Sequence, residues 1–358
     1  MTLYPLKLTP IYKQMLWGGN RLSTIYGRDL PYEKTGESWD ISCRPGEMGI
    51  IENGPAAGQA LAEYIARDRT GVLGTRLANC ARFPLLVKLI DANDNLSVQV
   101  HPRDDYAAAQ GGADTGKTEM WYILTPPTCG QLIIGLKPGT TPQALRTAHE
   151  SGTVEDCLNR LPVSAGDIVN IPAGLVHALT PGVMVAEVQQ NSDITYRLYD
   201  YNRLGLDGKP RDLHIQDAIA VADFEGKIPI ATTPGLAVKH GDSTLTYVIA
   251  NKYFAIIKYQ LGGPLTETSN PAAFCVFTCV EGEAEVLAGQ GRHGVRLRAG
   301  CSVLLPAGLG AYILRPTGGR AVLIKSFVPD IHGDFIAPLL AVGYTADDIA
   351  TCAAVALP

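Results

Sequence analysis

A chain of 358 residues with 46% hydrophobic and 18% charged content has the apolar material for a sizeable core and the length for two domains, which excludes a disordered polypeptide. Its formal net charge of −5, with no basic block or aromatic-interleaved basic stripe, argues against nucleic-acid binding, so an anionic ligand must be held by a few local cations. No run approaches the roughly 18 apolar residues of a membrane span. The N-terminal MTLYPLKLTPIYKQ lacks the regions of a signal peptide, and the eight cysteines include no CxxC, so the expectation is a cytoplasmic protein with free thiols.

The predicted elements follow from periodicity and punctuation. ALAEYIARDR (60–69) reads as a helix, and FPLLVKLI (83–90) and LSVQVH (96–101) as strands. DDYAAAQGGADTG (104–116) reads as a loop, being rich in Gly, Asp and Ala. MWYIL (120–124) and GQLIIGL (130–136) are strands, followed by a helical segment over 141–161, where Thr141 caps and Pro142 takes the first helical position. DIVNIP (167–172) and VMVAEVQQ (183–190) are strands, and DLHIQDAIAVADF (212–224) is a helix. Residues 225–250 read as a connection. FAIIKYQL, FCVFTCVEG, EAEVLAG, CSVLLP and AVLIKSFV then supply strands, and ADDIATCAAVAL (346–357) a last helix. Short strands between Gly and Pro turns predict a mainly β protein of barrels or sandwiches.

Four side chains in this pattern are candidate metal ligands. Gln99 and His101 are two apart, so on a strand both face one way. Glu119 opens a second strand and His177 closes GDIVNIPAGLVHAL. Two imidazoles, a carboxylate and an amide oxygen suit Zn²⁺ or a similar divalent ion, with room for water or substrate. Cys275 and Cys279, four apart, share a strand face without forming a metal signature.

There is also an internal repeat. Residues 166–177 and 300–311 share Gly-x5-Pro-Ala-Gly-Leu, but Ala311 stands where the first copy has His177. Before the second copy, VFTCVEGEAEVL has a strand–turn–strand pattern without ligands. The expected layout is a catalytic metal-binding domain over 1–240, with a small helical insertion near 141–161, and a second domain over 241–358 lacking the ligands.

Gly166-x5-Pro-x-Gly-x2-His177 resembles the second motif of the cupin superfamily, whose first motif normally carries His-x-His and a later Glu; here Gln99 replaces a histidine. The resemblance implies two cupin-type, jelly-roll-like β-barrels with a few helices. More specifically, LWGGNRL (16–22), GESWDIS (36–42), PLLVKLIDANDNLSVQVHPRDDYA (84–107), GKTEMWYIL (116–124), GDIVNIPAGLVHAL (166–179), DITYRLYDYNR (193–203) and GKPRDLHI (208–215) resemble, in order, the short bacterial type I mannose-6-phosphate isomerases.

That resemblance implies interconversion of mannose 6-phosphate and fructose 6-phosphate, a small sugar phosphate as partner, and one Zn²⁺ per chain on His101, Glu119, His177 and Gln99. It implies a catalytic role for Arg197, with Lys117 and Glu187 at further active-site positions. Arg197 keeps its proton at working pH and so suits holding an oxyanion or phosphate. Lys117 suits phosphate binding or proton shuttling, and Glu187 is an alternative base. Lys88 and Asp91 read as an ion pair or, for the lysine, as a snorkelling side chain. Trp17 and Trp39 read as packing residues, and His214 as structural. The competing readings are an Fe²⁺-dependent cupin oxygenase and a sugar-sensing cupin. The assembly expected is a monomer or homodimer.

Overall fold

Alternating apolar residues between Gly and Pro turns make this chain mainly β in a computed structural model that describes residues 2–111, 114–289 and 293–355. The chain divides into two compact units interleaved in sequence. One takes the residues up to Ile11, Trp39–Lys88 and those from Thr233 onward; the other takes Tyr12–Ser38 and Leu89–Thr232.

In the second of these units, a five-stranded sheet runs in the order Leu158–Pro162, Gln131–Leu136, His177–Ala178, Val98–Val100, Tyr196–Tyr199. The strands Ile168–Ile171, Glu119–Thr125 and Met184–Gln190 lie side by side in a six-stranded sheet. Period-2 alternation gives each sheet an inner face, and the two faces meet in one core that includes Trp17, Leu132, Ile134, Trp121, Ile123, Val169, Ile171 and Val185. The opposite face of the five-stranded sheet carries Val98, Val100, Ile133 and Ala178. It is covered by Leu145 from the helix Pro142–Ser151 and by Ala218 and Ile219 from the helix Ile215–Val221.

The unit that holds the C-terminal part of the chain is built on one nine-stranded sheet. Its core includes Leu245, Tyr259, Phe277, Val286, Leu314, Leu323 and Phe335. Residues 236–250, expected as a connection, are two of its strands, Leu236–His240 and Ser243–Ala250. Leu236 and Val238 are buried there while Ala237 and Lys239 are exposed, the alternation of a half-buried strand.

Four further expectations are corrected. The segment over 141–161 is helical only to Ser151; Thr141 caps it and Pro142 opens it as expected, but Gly152 takes a left-handed φ of 73° and Leu158–Pro162 goes on as a strand. The insertion after His101 begins as a helix, Asp104–Ala109, because two aspartates sit in its first turn and alanines follow; Gly112 and Ala113 of that insertion lie outside the described residues. VFTCVEGEAEVL contains no turn. Cys275–Ala288 is one strand, with register shifts on either side of Gly282 that bend it from one partner to another. The C-terminal helix, expected over 346–357, starts at Ala346 behind a capping box of Thr345 and Asp348 but ends at Cys352, because Ala354–Val355 turns extended and pairs as a strand with Ile249 and Ala250; Ala356 and Leu357 lie outside the described residues.

Candidate metal centre and active site

Strand pairing puts the site residues in rows. Register pairs Ile134 with His177, His177 with Gln99, and Gln99 with Arg197, so three of the polar candidates stand in line across adjacent strands. In the facing sheet, Glu119 lies between Ile171 and Gln189, and Trp121 lies between Val169 and Glu187. Glu119, Trp121, Glu187 and Gln189 thus share the inner face. The turn after Ile171 delivers His177. Gly174 takes a φ of 95° that a side chain would strain, its N–H donates to the His101 carbonyl at 2.9 Å, and its carbonyl accepts from Asp223.

His101, Glu119 and His177 converge. His101 Nε2 is 3.5 Å from one Glu119 oxygen and His177 Nε2 is 3.4 Å from the other. Two donors each about 2.1 Å from one tetrahedral ion are about 3.4 Å apart, so the set fits a divalent metal. The tautomers fit as well. A carbonyl can only accept, so His101 Nδ1 donates to the Ile194 carbonyl at 2.9 Å and His177 Nδ1 donates to the Leu175 carbonyl at 2.8 Å. Both Nε2 lone pairs are thereby aimed inward. His101 Nε2 is buried without a hydrogen-bond partner, and the buried Glu119 carboxylate accepts no hydrogen bond and has the Lys117 ammonium as its ion-pair partner, a state suited to holding an ion. The chain carries a buried His–Glu–His metal-binding triad.

The electrostatics favour the metal-ready state. Burial, then the Lys117 ammonium, push His101 down to about 3, and burial likewise lowers His177. Burial alone would raise Glu119, but Lys117, then His101 and His177, hold its carboxyl well below the usual range. Lys117 Nζ lies 3.1 Å from Glu119. Glu119 is therefore both a partner of Lys117 and a member of the triad.

The other candidates take distinct places. The Gln99 amide nitrogen is 3.3 Å from His177 Nε2, and a half-turn of the amide would put its oxygen there. Glu187 is buried, and one of its oxygens accepts the Trp121 indole N–H at 2.8 Å. Arg197 is half-buried and donates through Nη1 to the Asp212 carbonyl at 2.7 Å. Asp200 pairs with Arg203 and Arg211. Asp91 is buried and taken by Arg21, not Lys88, whose ammonium lies 4.8 Å from the centre of the Trp39 ring. Trp17 is a core residue.

Residue-by-residue reading missed Trp121, which touches both Glu187 and the ring of His177, the latter at 5.3 Å between ring centres. An indole in an apolar run looks like plain packing, so nothing in the sequence marked it.

Two strand rows facing a buried His–Glu–His triad define a metal-binding protein of the cupin class. Residues 5–126 match the catalytic domain of phosphomannose isomerase type I, and residues 243–328 match the cupin domain of mannose-6-phosphate isomerase. Mannose-6-phosphate isomerase ManA of Bacillus subtilis is 36% identical over 88% of this chain and 96% of its own length. The mannose-6-phosphate isomerase of Streptococcus mutans is 36% identical over 84% of this chain and 92% of its own. The crystal structure of the mannose 6-phosphate isomerase from Bacillus subtilis superposes with a TM-score of 0.80 at 33% identity, over 90% of this chain and 99% of that one. The chain belongs to the type I phosphomannose isomerase family and is an isomerase.

Proposed function

We propose that this enzyme interconverts mannose 6-phosphate and fructose 6-phosphate in the cytoplasm, with one Zn²⁺ held by His101, Glu119, His177 and Gln99. The observation that carries the reading is the buried triad with Lys117 3.1 Å from its carboxylate, in a chain of this family. Ligand softness supports zinc, since imidazole and carboxylate donors suit it. When bound, such an ion acts as a Lewis acid on the sugar's carbonyl and hydroxyl oxygens.

The chain's own residues account for the proton traffic. Isomerisation takes the proton from C2 of the aldose and delivers one to C1, while the O2 hydroxyl proton passes to O1 and the carbonyl moves from C1 to C2 through an enediol(ate). The net change is a shift of hydrogen with no other reactant. Glu187 is the carboxylate suited to accept and return that proton, because Trp121 holds one of its oxygens and burial keeps bulk water from it. Lys117 is paired with Glu119 as an ammonium and suits the developing oxyanion. Arg197, in the row with Gln99 and His177, suits the phosphate or a second oxygen.

A coupled assay for fructose 6-phosphate tests this on native, chelator-treated and zinc-restored protein. Activity lost on chelation and regained with zinc is the expected result. A metal-loaded protein with no turnover of mannose 6-phosphate would sink the assignment.

A further inference from the structure

Arg197 lies on an edge strand. Tyr196–Tyr199 is the last strand of its sheet, and on its far side no further strand follows among the described residues. The backbone groups that an edge leaves open need partners. At Arg197 one residue supplies both. The His214 N–H donates to the Arg197 carbonyl at 2.8 Å, and the Arg197 N–H donates to His214 Nδ1 at 3.3 Å. Two residues earlier, the Asp212 carbonyl accepts from the guanidinium at 2.7 Å. The segment 212–214 therefore grips Arg197 at its main chain and at its charged end together.

The ring is the unusual part of this grip. Inside a sheet the next strand's carbonyl would accept this N–H, and here an imidazole nitrogen does. Nδ1 accepts only when the ring proton sits on Nε2, so the contact selects one neutral tautomer. The Tyr196 ring, 6.1 Å away between centres, flanks the imidazole.

We propose that His214 is a positioning residue for Arg197: its ring replaces the missing strand and sets where the guanidinium reaches. The proposal rests on the reading of Arg197 as an active-site cation. Its chemistry makes the three obvious variants unequal. In His214→Asn the amide oxygen takes the place of Nδ1 and keeps the acceptor. In His214→Gln the oxygen lies one bond too far out, and in His214→Ala it is absent.

The experiment measures kcat, KM, metal content and melting temperature for wild type and the three variants, and adds His214→Ala to an Arg197→Ala background. The expected result is a fall in kcat of about tenfold to a hundredfold for Ala and Gln, the scale of a misplaced catalytic group. Metal content stays at the wild-type level, and Asn remains within about threefold of wild type. In the Arg197→Ala background the second substitution has no further effect. Wild-type kcat in His214→Ala overturns the proposal, as does an Asn variant no better than Ala, or an equal added loss in the absence of Arg197. If the Ala variant does not fold, the contrast between Asn and Gln decides. An inactive wild type overturns the isomerase reading and this proposal with it, whereas an active wild type with indifferent His214 variants overturns this proposal alone.

Discussion

Each imidazole of the triad is held neutral by burial and has its tautomer chosen by a backbone carbonyl, so the site is ready for metal before any metal arrives. That arrangement has a consequence for stability in the chelated protein. His101 stays unprotonated in the folded chain down to about 3, against an ordinary value of 6.5. Below about 6.5 the unfolded chain takes up a proton that the folded chain refuses. The stabilising contribution is therefore fully present above that pH and is lost as pH falls towards 3, with a limiting slope of about 1.4 kcal/mol per pH unit for this one group. Chelated protein is expected to melt at a lower temperature at pH 5 than at pH 7, with a shallower decline in His101→Gln. A wild-type profile as flat as that of the variant would refute the neutral buried imidazole. The residue types of the triad were legible because His and Glu at strand spacing carry chemistry. Trp121 and His214 were not, because an indole in an apolar run and a histidine before a helix acquire meaning only from what they touch.

Elements, rather than single residues, align the candidate site groups. Trp121 and Glu187 are register partners on neighbouring strands, and the indole N–H fixes one carboxylate oxygen while the indole and the His177 ring meet nearly at right angles. Trp121→Phe removes the donor and keeps most of the ring. It is expected to lower kcat by about tenfold to a hundredfold, the cost of losing a group that orients an active-site residue, with metal content and KM unchanged. Steady-state kinetics with metal analysis check it, and an unaltered kcat would exclude Glu187 as a group that Trp121 orients. The strands that form these rows were readable from period-2 alternation, as was the Thr141–Pro142 helix start. The end of that helix at Gly152 and the unbroken Cys275–Ala288 strand were not, because a local pattern does not show which neighbour a segment will pair with.

At the scale of the molecule, the repeat seen in sequence is repeated in register. Ile171 pairs with Glu119, and its counterpart Leu305 pairs with Cys275; Glu187 pairs with Trp121, and Lys325 pairs with Phe277. The C-terminal unit thus has Cys275 at the position of the triad's Glu119 and Lys325 at that of Glu187. Lys325 Nζ lies 3.1 Å from Glu267, whose two oxygens also accept the hydroxyls of Tyr259 and Tyr312 at 2.9 Å. The ammonium answers a carboxylate directly, with the rings of Phe277 and Phe327 each 5.7 Å away. Lys325→Met leaves Glu267 without its cation and is expected to destabilise the protein by roughly 3 kcal/mol, with about one metal per chain retained because the triad lies in the other unit. Denaturant unfolding and metal analysis check this. A variant that unfolds like wild type would mean the ion pair contributes nothing net.

Length, charge and strand periodicity alone settled that the chain is a mainly β protein, and the spacing of Gln99, His101, Glu119 and His177 singled out the candidate ligands. Those features are local: a strand's alternation and a turn's Gly and Pro are written in consecutive residues. Only the tertiary structure decided that residues 39–88 and those before Tyr12 pack with the residues from Thr233 onward, that Asp91 answers Arg21, that Trp121 holds Glu187 and that His214 meets the edge at Arg197. These depend on sheet order and register, which bring together residues far apart in the chain through contacts that no single segment encodes.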